Sequence, residues 1–173
     1  MEKSSEKKIF TVIGLMSGTA MDGIDAAMIE TDGDTYTKSL GFVSIDHAND
    51  LRAKLKSQLN KTDFDKDIEH EFTLAQVPAI NELLRKTGKT ASDINMIGFH
   101  GQTVHHDPDN GITVQMGDGQ LLSNETSIPV IHDFRSNDMK HGGQGAPLLP
   151  VYHHALTRSA NLDLPIAILN LGG

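Results

Sequence analysis

The sequence has no cysteine among its 173 residues, so neither a disulfide framework nor a thiolate zinc site is available. It also lacks an excess of basic residues, because 15 Lys and Arg stand against 23 Asp and Glu, for a net charge of −8. That balance argues against nucleic acid as the main partner, since phosphate backbones select basic surfaces. An acidic protein of this kind has to bind phosphate locally, through backbone amides, a metal ion or a few basic side chains.

Long apolar runs are missing as well. No stretch approaches the roughly 20 apolar residues that are needed to cross a bilayer. The polar start of the chain, 1–8, has no apolar signal core. We therefore expect a cytoplasmic protein with no membrane partner.

Several familiar motifs of metal and nucleotide sites are absent. Nine histidines occur, but there is no His-Glu-x-x-His pair, and neighbours such as His153 and His154 cannot share one helix face. The chain also contains no Gly-x-x-x-x-Gly-Lys-Ser/Thr loop and no Gly-x-Gly-x-x-Gly fingerprint. These absences argue against a dedicated zinc site and exclude a standard P-loop and a Rossmann pyrophosphate site.

Hydrophobic periodicity predicts an α/β protein with a mixed sheet. With 38% apolar and 22% charged residues, the composition is ordinary for a globular domain, and the length suffices for one core. Short, turn-rich links favour antiparallel pairing of the first three strands, and Pro78 should kink or break the second helix. Strands are predicted at 9–16, 24–30, 37–45, 96–99 and 112–116, at 129–133, where the pattern indicates a buried strand, and from 165 onward, followed by a Gly-Gly turn. Helices are predicted at 49–60, at 66–86, with Gly88 as the stop signal, and at 117–124 and 148–156. Polar or glycine-bearing loops are predicted at 100–106 and 135–145.

The most informative stretch runs from Gly14 to Asp25, with the sequence Gly-Leu-Met-Ser-Gly-Thr-Ala-Met-Asp-Gly-Ile-Asp. It lies between two strand patterns and predicts a glycine-rich hairpin. Its successive N–H groups, with the Ser17 and Thr19 hydroxyls, could bind phosphate oxygens, and Asp22 and Asp25 could hold Mg²⁺. The alternative is an ordinary Asp-Gly turn with a hydroxyl-rich tip, and the local chemistry favours neither.

Two further polar segments follow predicted strands, where ligand-binding residues often lie. His100 and Gln102 could hydrogen-bond sugar hydroxyls or an acetamido group, although His100 could instead be a core or turn histidine. Arg135 could clamp a carboxylate or phosphate, or instead form an ion pair with Asp133 or Asp138. In the glycine-rich loop that follows, Gln144 could reach a ligand.

Taken together, these segments resemble the anhydro-N-acetylmuramic acid kinases of bacteria. The resemblance covers nearly the whole chain after its polar start. It rests on the Gly14–Asp25 stretch, Gly-Phe-His-Gly-Gln-Thr-Val at 98–104, Gln-Met-Gly-Asp at 115–118, Asp-Phe-Arg-Ser at 133–136, Gly-Gly-Gln-Gly-Ala-Pro-Leu at 142–148 and Leu-Asn-Leu-Gly-Gly at 169–173. One departure is Ala20, where the family usually has a serine, so one possible phosphate ligand is lost while the backbone is unaffected.

The resemblance implies an actin/hexokinase-like (ribonuclease H-like) domain with a mixed sheet, the first lobe of a two-lobe kinase. It implies a polar tail at 1–8, a first lobe at 9–134 and the start of a second, truncated lobe at 135–173. ATP and Mg²⁺ are the implied cofactors and an amino sugar the implied substrate. The implied nucleotide site comprises Gly18, Thr19, Ala20, Met21, Asp22, Gly23, Ile24 and Asp25, with Asp22 and Asp25 on the metal; the implied sugar ligands are His100, Gln102, Arg135 and Gln144.

Such kinases phosphorylate 1,6-anhydro-N-acetylmuramic acid while water opens the anhydro ring, giving N-acetylmuramic acid 6-phosphate in peptidoglycan recycling. The resemblance places the family's general base beyond Gly173, in a Phe-Asp-x-Gly-Pro-Gly-Asn segment that this sequence does not contain, so no catalytic residue is assigned. We expect a fragment that is inactive alone and whose uncovered inter-lobe face could make a homodimer. The alternatives are a non-catalytic sugar-binding or regulatory module and another sugar kinase or phosphatase of the same superfold.

Overall fold

The first three strands form an antiparallel meander, as the turn-rich links predict. The computed structural model describes residues 7–160, 162–163 and 165–169. Strand β1 pairs antiparallel with β2, and β2 with β3. The elements in chain order are β1 (Phe10–Met16), β2 (Gly23–Thr31), β3 (Thr37–Asp46), α1 (Asn49–Lys56), α2 (Lys66–Leu74), α3 (Gln76–Thr87), β4 (Met96–Phe99), β5 (Gln102–Asp107), β6 (Ile112–Met116), α4 (Gly119–Thr126), β7 (Val130–His132), α5 (Ser136–Lys140) and α6 (Pro150–Ser159).

Strands β4 and β7 complete a five-stranded mixed sheet in the order β3-β2-β1-β4-β7. Strand β4 lies parallel to β1 and β7 lies parallel to β4, each after a helical connection. The predicted α/β architecture with a mixed sheet is therefore confirmed. The prediction of a loop at 100–106 is wrong, because most of this segment forms β5, which pairs with β6 as a separate antiparallel hairpin.

Proline decides where the second predicted helix divides. The predicted helix at 66–86 is two helices, because α2 ends at Leu74 and α3 begins at Gln76. Pro78 has no N–H to donate to the carbonyl of Leu74 four residues earlier, and its ring would clash with that carbonyl. Gly88 then ends α3 in the left-handed conformation, at φ 67°, as its role as a stop signal predicts.

Other predicted boundaries are wrong in ways that local chemistry explains. Helix α1 ends at Lys56 rather than near residue 60, because the Ser57 hydroxyl donates to the carbonyl of Lys54 and the Asn60 N–H donates to that of Val104. Helix α4 begins two residues later than predicted, where Asp118 accepts two N–H bonds of the first turn. The predicted loop at 135–145 contains the short helix α5.

The core lies between one face of the sheet and helices α1 to α4. Alternate strand residues point into it, so that Ile13, Ile24 and Ile97 are almost completely buried. They pack with the helix side chains Leu51, Leu55, Phe72, Ile80, Leu83 and Leu122. This one-sided burial explains the alternating apolar pattern from which the strands were predicted.

The opposite face of the sheet is open along a cavity of about 680 Å³. Its walls are mainly apolar and include Leu148, Leu149 and Tyr152. One prediction is wrong on this side. Strand β7 was expected to be buried, but it lies at the sheet edge and Ile131 is exposed.

The predicted last strand differs from the structure too. Residues 165–169 were expected to begin a strand but form none. The rest of that predicted strand and the Gly-Gly turn that ends at Gly173 lie outside the described residues, as does most of the polar tail predicted at 1–8. The general base that the resemblance places beyond Gly173 belongs to no residue of this sequence, so its assignment stays a prediction.

Helix α6 packs back against the β2–β3 turn. The Ser159 hydroxyl donates to the carbonyl of Thr35 at 3.0 Å, and the N–H of Thr37 donates to the same hydroxyl oxygen at 3.2 Å.

The expected lobe boundary at residue 135 stays a prediction. Within the described ranges, no helix is both long enough and apolar enough to cross a bilayer.

Candidate functional site

Three polar loops meet at one edge of the sheet. They follow the carboxyl ends of β1, β4 and β7, which run parallel and are neighbours in the sheet. The first is the turn at 17–22, the second begins at His100, and the third carries Asp133 and Arg135. In open α/β sheets this edge is where ligands bind. The segments that stood out in the sequence are thus brought together although they are up to 118 positions apart in the numbering (17 to 135).

The turn at 17–22 offers a row of unused backbone donors. Met21 is in the left-handed conformation at φ 51°, and its N–H donates to the carbonyl of Gly18 at 3.0 Å. None of the hydrogen bonds between described residues uses the N–H of Gly18, Thr19 or Ala20 as donor, and all three residues are exposed. Such a run of free amides suits an anionic ligand. Three residues predicted to belong to the nucleotide site lie differently. Met21 and Ile24 are buried and anchor the turn in the core. Gly23 lies against the backbone of β3.

Ser17 and Gln102 face inward rather than toward the open edge. The Ser17 hydroxyl donates to Oε1 of Gln102 at 2.7 Å, and Nε2 of Gln102 donates to the carbonyl of Gly18 at 3.2 Å. Gln102 is completely buried. In this arrangement both side chains hold the turn, and neither presents a free polar group to a phosphate or a sugar.

His100 and Arg135 form a second contact between loops. Nε and Nη2 of Arg135 donate to Nε2 of His100 at 3.0 and 2.7 Å. Because a guanidinium has only donors, Nε2 must be an acceptor. The ring proton is therefore on Nδ1, which donates to the carbonyl of Gly101 at 2.7 Å. His100 is neutral in this geometry, and burial, with a smaller contribution from the Arg135 charge, lowers its pKa.

The ion pairs that the sequence left open for Arg135 do not form among the described residues. Asp138 instead accepts the N–H of Gly145 at 2.7 Å, and Asp133 accepts the hydroxyl of Ser136. Nη1 of Arg135 donates to the carbonyl of Gly145. Arg135 thus ties the glycine-rich loop to His100, and burial lowers its pKa. Gln144, at the tip of that loop, is exposed.

The two carboxylates proposed for Mg²⁺ are both exposed near the hairpin turn. Asp25 lies opposite Met16 in the β1–β2 pair and borders the apolar cavity, together with His100. No group of three His, Asp or Glu side chains poised for a metal occurs in the part of the chain that the structure describes. Mg²⁺ is usually held by one or two carboxylates together with substrate phosphates. Two exposed carboxylates beside a turn with free backbone amides fit that mode of binding.

Sequence reasoning missed two residues that contact the turn. The ring of His47, just after β3, lies with Nε2 3.1 Å from Oγ of Ser17. The backbone N–H of His47 donates to the carbonyl of Asp22 at 2.8 Å. Arg52, in α1, donates through Nη2 to the carbonyl of Ala20 at 3.4 Å. The signal that could have found His47 is its position directly after a strand, which it shares with His100.

Two buried histidines should make stability depend on pH. The pKa of His47 is lowered mainly by burial; the Asp22 charge opposes this and Arg52 adds to it. Its ordinary value is 6.5, as for His100. Below that value the unfolded chain takes up protons before the folded chain does, so folding is penalised. The histidine contribution is complete above pH 6.5 and is lost as pH falls through that value toward the folded-state pKa.

We expect the free energy of unfolding to decrease between about pH 6.5 and pH 5.5, and His47→Gln to make that decrease shallower. Urea unfolding at each pH measures the slope. His70→Gln is the matched control, because His70 is an exposed histidine on α2. Equal slopes in His47→Gln and wild type would show that His47 is not kept neutral by the fold.

Comparison with known proteins places this fold and site in a family. The family model described as "Anhydro-N-acetylmuramic acid kinase" matches residues 10–173. A relative of that name from Brucella canis is 46% identical over 173 aligned positions, which cover 93% of this chain and 46% of that protein. Relatives of the same name from Paramagnetospirillum magneticum and Rhizobium etli are 44% and 42% identical, covering 93% and 94% of this chain and 45% and 47% of theirs.

The mixed α/β fold, together with relatives that are named as anhydro-N-acetylmuramic acid kinases, indicates the class of carbohydrate kinases. Within that class, this chain belongs to the anhydro-N-acetylmuramic acid kinase family. It spans about half the length of the curated relatives that it matches.

Proposed function

We propose that this chain provides the phosphate turn and part of the sugar site of an ATP-dependent anhydro-N-acetylmuramic acid kinase. The observation that supports this proposal is that three loops meet at one sheet edge in a chain that matches the family over residues 10–173. The reaction phosphorylates 1,6-anhydro-N-acetylmuramic acid while water opens its anhydro ring, and the product is N-acetylmuramic acid 6-phosphate. Its place is peptidoglycan recycling, in the cytoplasm, where ATP is supplied.

The phosphates of ATP would lie on the turn at 17–22. The free N–H groups of Gly18, Thr19 and Ala20 would donate to phosphate oxygens. Converging backbone amides can bind an anion without a positively charged side chain. Asp22 and Asp25 would hold Mg²⁺ together with those oxygens. When bound, Mg²⁺ neutralises the charge that develops on the phosphates, while the turn supplies position.

The sugar would lie on the side of Arg135. Three of the five guanidinium N–H groups are used by His100 and Gly145, which leaves two for the lactyl carboxylate of the substrate. Neutral His100 keeps the guanidinium plane fixed without adding a second charge. Gln144, exposed at the tip of the adjacent loop, would reach the sugar's hydroxyl or acetamido groups.

The sheet order supports an actin/hexokinase-like first lobe. A three-stranded antiparallel meander that continues into parallel strands β4 and β7 is the order expected of that ribonuclease H-like class.

Exposed apolar side chains on α6 and beyond it, among them Val151, Leu156 and Leu169, supply the open face from which we expect self-association.

An ATP-consumption assay with 1,6-anhydro-N-acetylmuramic acid tests the proposal. The 173-residue chain is compared with a version extended beyond Gly173 to the length of its relatives. We expect turnover only in the extended chain, because the resemblance places the general base for the attacking water beyond Gly173. In the extended chain, Asp22→Asn should lower kcat/KM by more than about tenfold, whereas Asp109→Asn, an exposed carboxylate outside the site, should not.

Other outcomes separate the alternatives. Robust turnover by the 173-residue chain would overturn the expectation that it is inactive alone. If neither version consumes ATP but the sugar raises the melting temperature, a non-catalytic sugar-binding module is the better conclusion.

A further inference from the structure

A buried set of three polar side chains lies directly beneath the turn at 17–22. Ser17, His47 and Gln102 come from the end of β1, the loop after β3 and the start of β5, and they are 5%, 7% and 0% exposed. Oγ of Ser17 lies 2.7 Å from Oε1 of Gln102 and 3.1 Å from Nε2 of His47. Three separate parts of the chain thus meet on one hydroxyl.

The direction of every hydrogen bond in this set follows from backbone carbonyls. Nε2 of Gln102 lies 3.2 Å from the carbonyl oxygen of Gly18 and 3.4 Å from that of Thr103, which both accept, so the amide NH₂ must face them. Oε1 therefore faces Ser17 and accepts its hydroxyl proton. A hydroxyl has one proton, so Oγ of Ser17 must accept from His47, and the His47 proton is on Nε2.

Gln102, through its side chain, and His47, through its backbone, also hold the two ends of the turn. Gln102 donates to the carbonyl of Gly18, and the backbone N–H of His47 donates to the carbonyl of Asp22 at 2.8 Å. Between these two points lie the free N–H groups of residues 18–20. A peptide carbonyl and the N–H of the next residue share one plane, so fixing the Gly18 carbonyl also fixes the direction of the Thr19 N–H.

We propose that Ser17, Gln102 and His47 are positioning residues that orient the turn for phosphate before any ligand binds. This inference rests on the proposed function for its ligand, but not for its geometry. It assigns Gln102 to the support of the turn rather than to contact with the sugar. It also assigns a part to His47, which no motif in the sequence marked. Preorganised donors need no rearrangement when the anion arrives, which is how such sites gain affinity.

The first test replaces one atom group in Gln102. Gln102→Glu keeps the shape but exchanges the donor NH₂ for a carboxylate oxygen, which the Gly18 carbonyl repels. Two-dimensional NMR of the 173-residue chain should show shifted amide resonances for residues 18–21 in this variant, and long-range ¹H–¹⁵N spectra of the wild type should show neutral His47 with its proton on Nε2. Gln120→Glu is the control, because Gln120 is an exposed residue of α4 and its side-chain amide donates to Asn124, away from the turn.

Ser17→Ala is the second variant, for the case that Gln102→Glu does not fold. It removes the hydroxyl that accepts from His47, and we expect the same resonances at residues 18–21 to move. Wild-type His47 with its proton on Nδ1, or unchanged turn resonances in a folded Gln102→Glu or Ser17→Ala protein, would overturn the positioning role. The nucleotide is tested separately by adding Mg·ATP to the extended wild-type chain. If the turn resonances respond to the variants but not to Mg·ATP, the positioning geometry holds and the proposed function fails.

Discussion

Phe72→Ala is expected to lower the free energy of unfolding by about 3–5 kcal/mol, a large part of the 5–15 kcal/mol that is typical of a domain. Phe72 is completely buried on α2, with its ring centroid 6.1 Å from that of Phe99 and 5.9 Å from that of His47. Alanine would remove this packing and leave a cavity between the helix layer and the sheet. The cavity would border His47, so the loss of packing would reach the side chains beneath the turn at 17–22.

Thermal or urea unfolding measures this effect, with a decrease in melting temperature of roughly 6–20 °C for a chain of this size. Phe42→Ala is the matched control, because Phe42 lies on β3 with 51% of its surface exposed. We expect it to cost no more than about 1 kcal/mol. Similar losses in the two variants would contradict the assignment of Phe72 to the core.

Gly101→Ala is expected to destabilise the protein by about 2–4 kcal/mol and to disturb the site at the same time. Gly101 has φ 72°, and a Cβ there would lie 2.7 Å from the carbonyl oxygen of Met116. That oxygen belongs to the backbone of β6, the partner of β5, so it cannot turn away as a side chain could. The carbonyl of Gly101 also accepts from Nδ1 of His100, and a shift there would move His100 relative to Arg135.

Gly111→Ala separates the strain of the left-handed conformation from the clash of the added Cβ. Gly111 has nearly the same conformation, φ 68°, but an added Cβ would meet no heavy atom within 4 Å. Its cost should be about 1 kcal/mol, the strain of the left-handed conformation alone. Urea unfolding of both variants gives the difference that the clash contributes. If the two substitutions lower the free energy of unfolding equally, the close contact between Gly101 and the backbone of Met116 is not rigid, and the disturbance at His100 should also be absent.

Some of this protein could be predicted from the sequence because the causes are local. Alternating apolar residues and turn chemistry determine the β1–β2–β3 meander, and Pro78 determines the break between α2 and α3. The loop segments after β1, β4 and β7 stood out by their glycines and polar groups alone. Residues at strand ends share an edge whenever the strands run parallel, so even their meeting was foreseeable in outline.

Only the tertiary structure decided which groups face a ligand and which face each other. Gln102 turns inward to Ser17, 85 positions away, and Arg135 pairs with His100, 35 positions away, rather than with a neighbouring aspartate. The exposure of β7 and the formation of a strand at 102–107 likewise depend on which segments become neighbours in the fold. A hydrogen-bonding side chain takes whichever partner the packing brings within about 3 Å. Sheet order and helix packing set that choice over distances in the chain that no local pattern encodes.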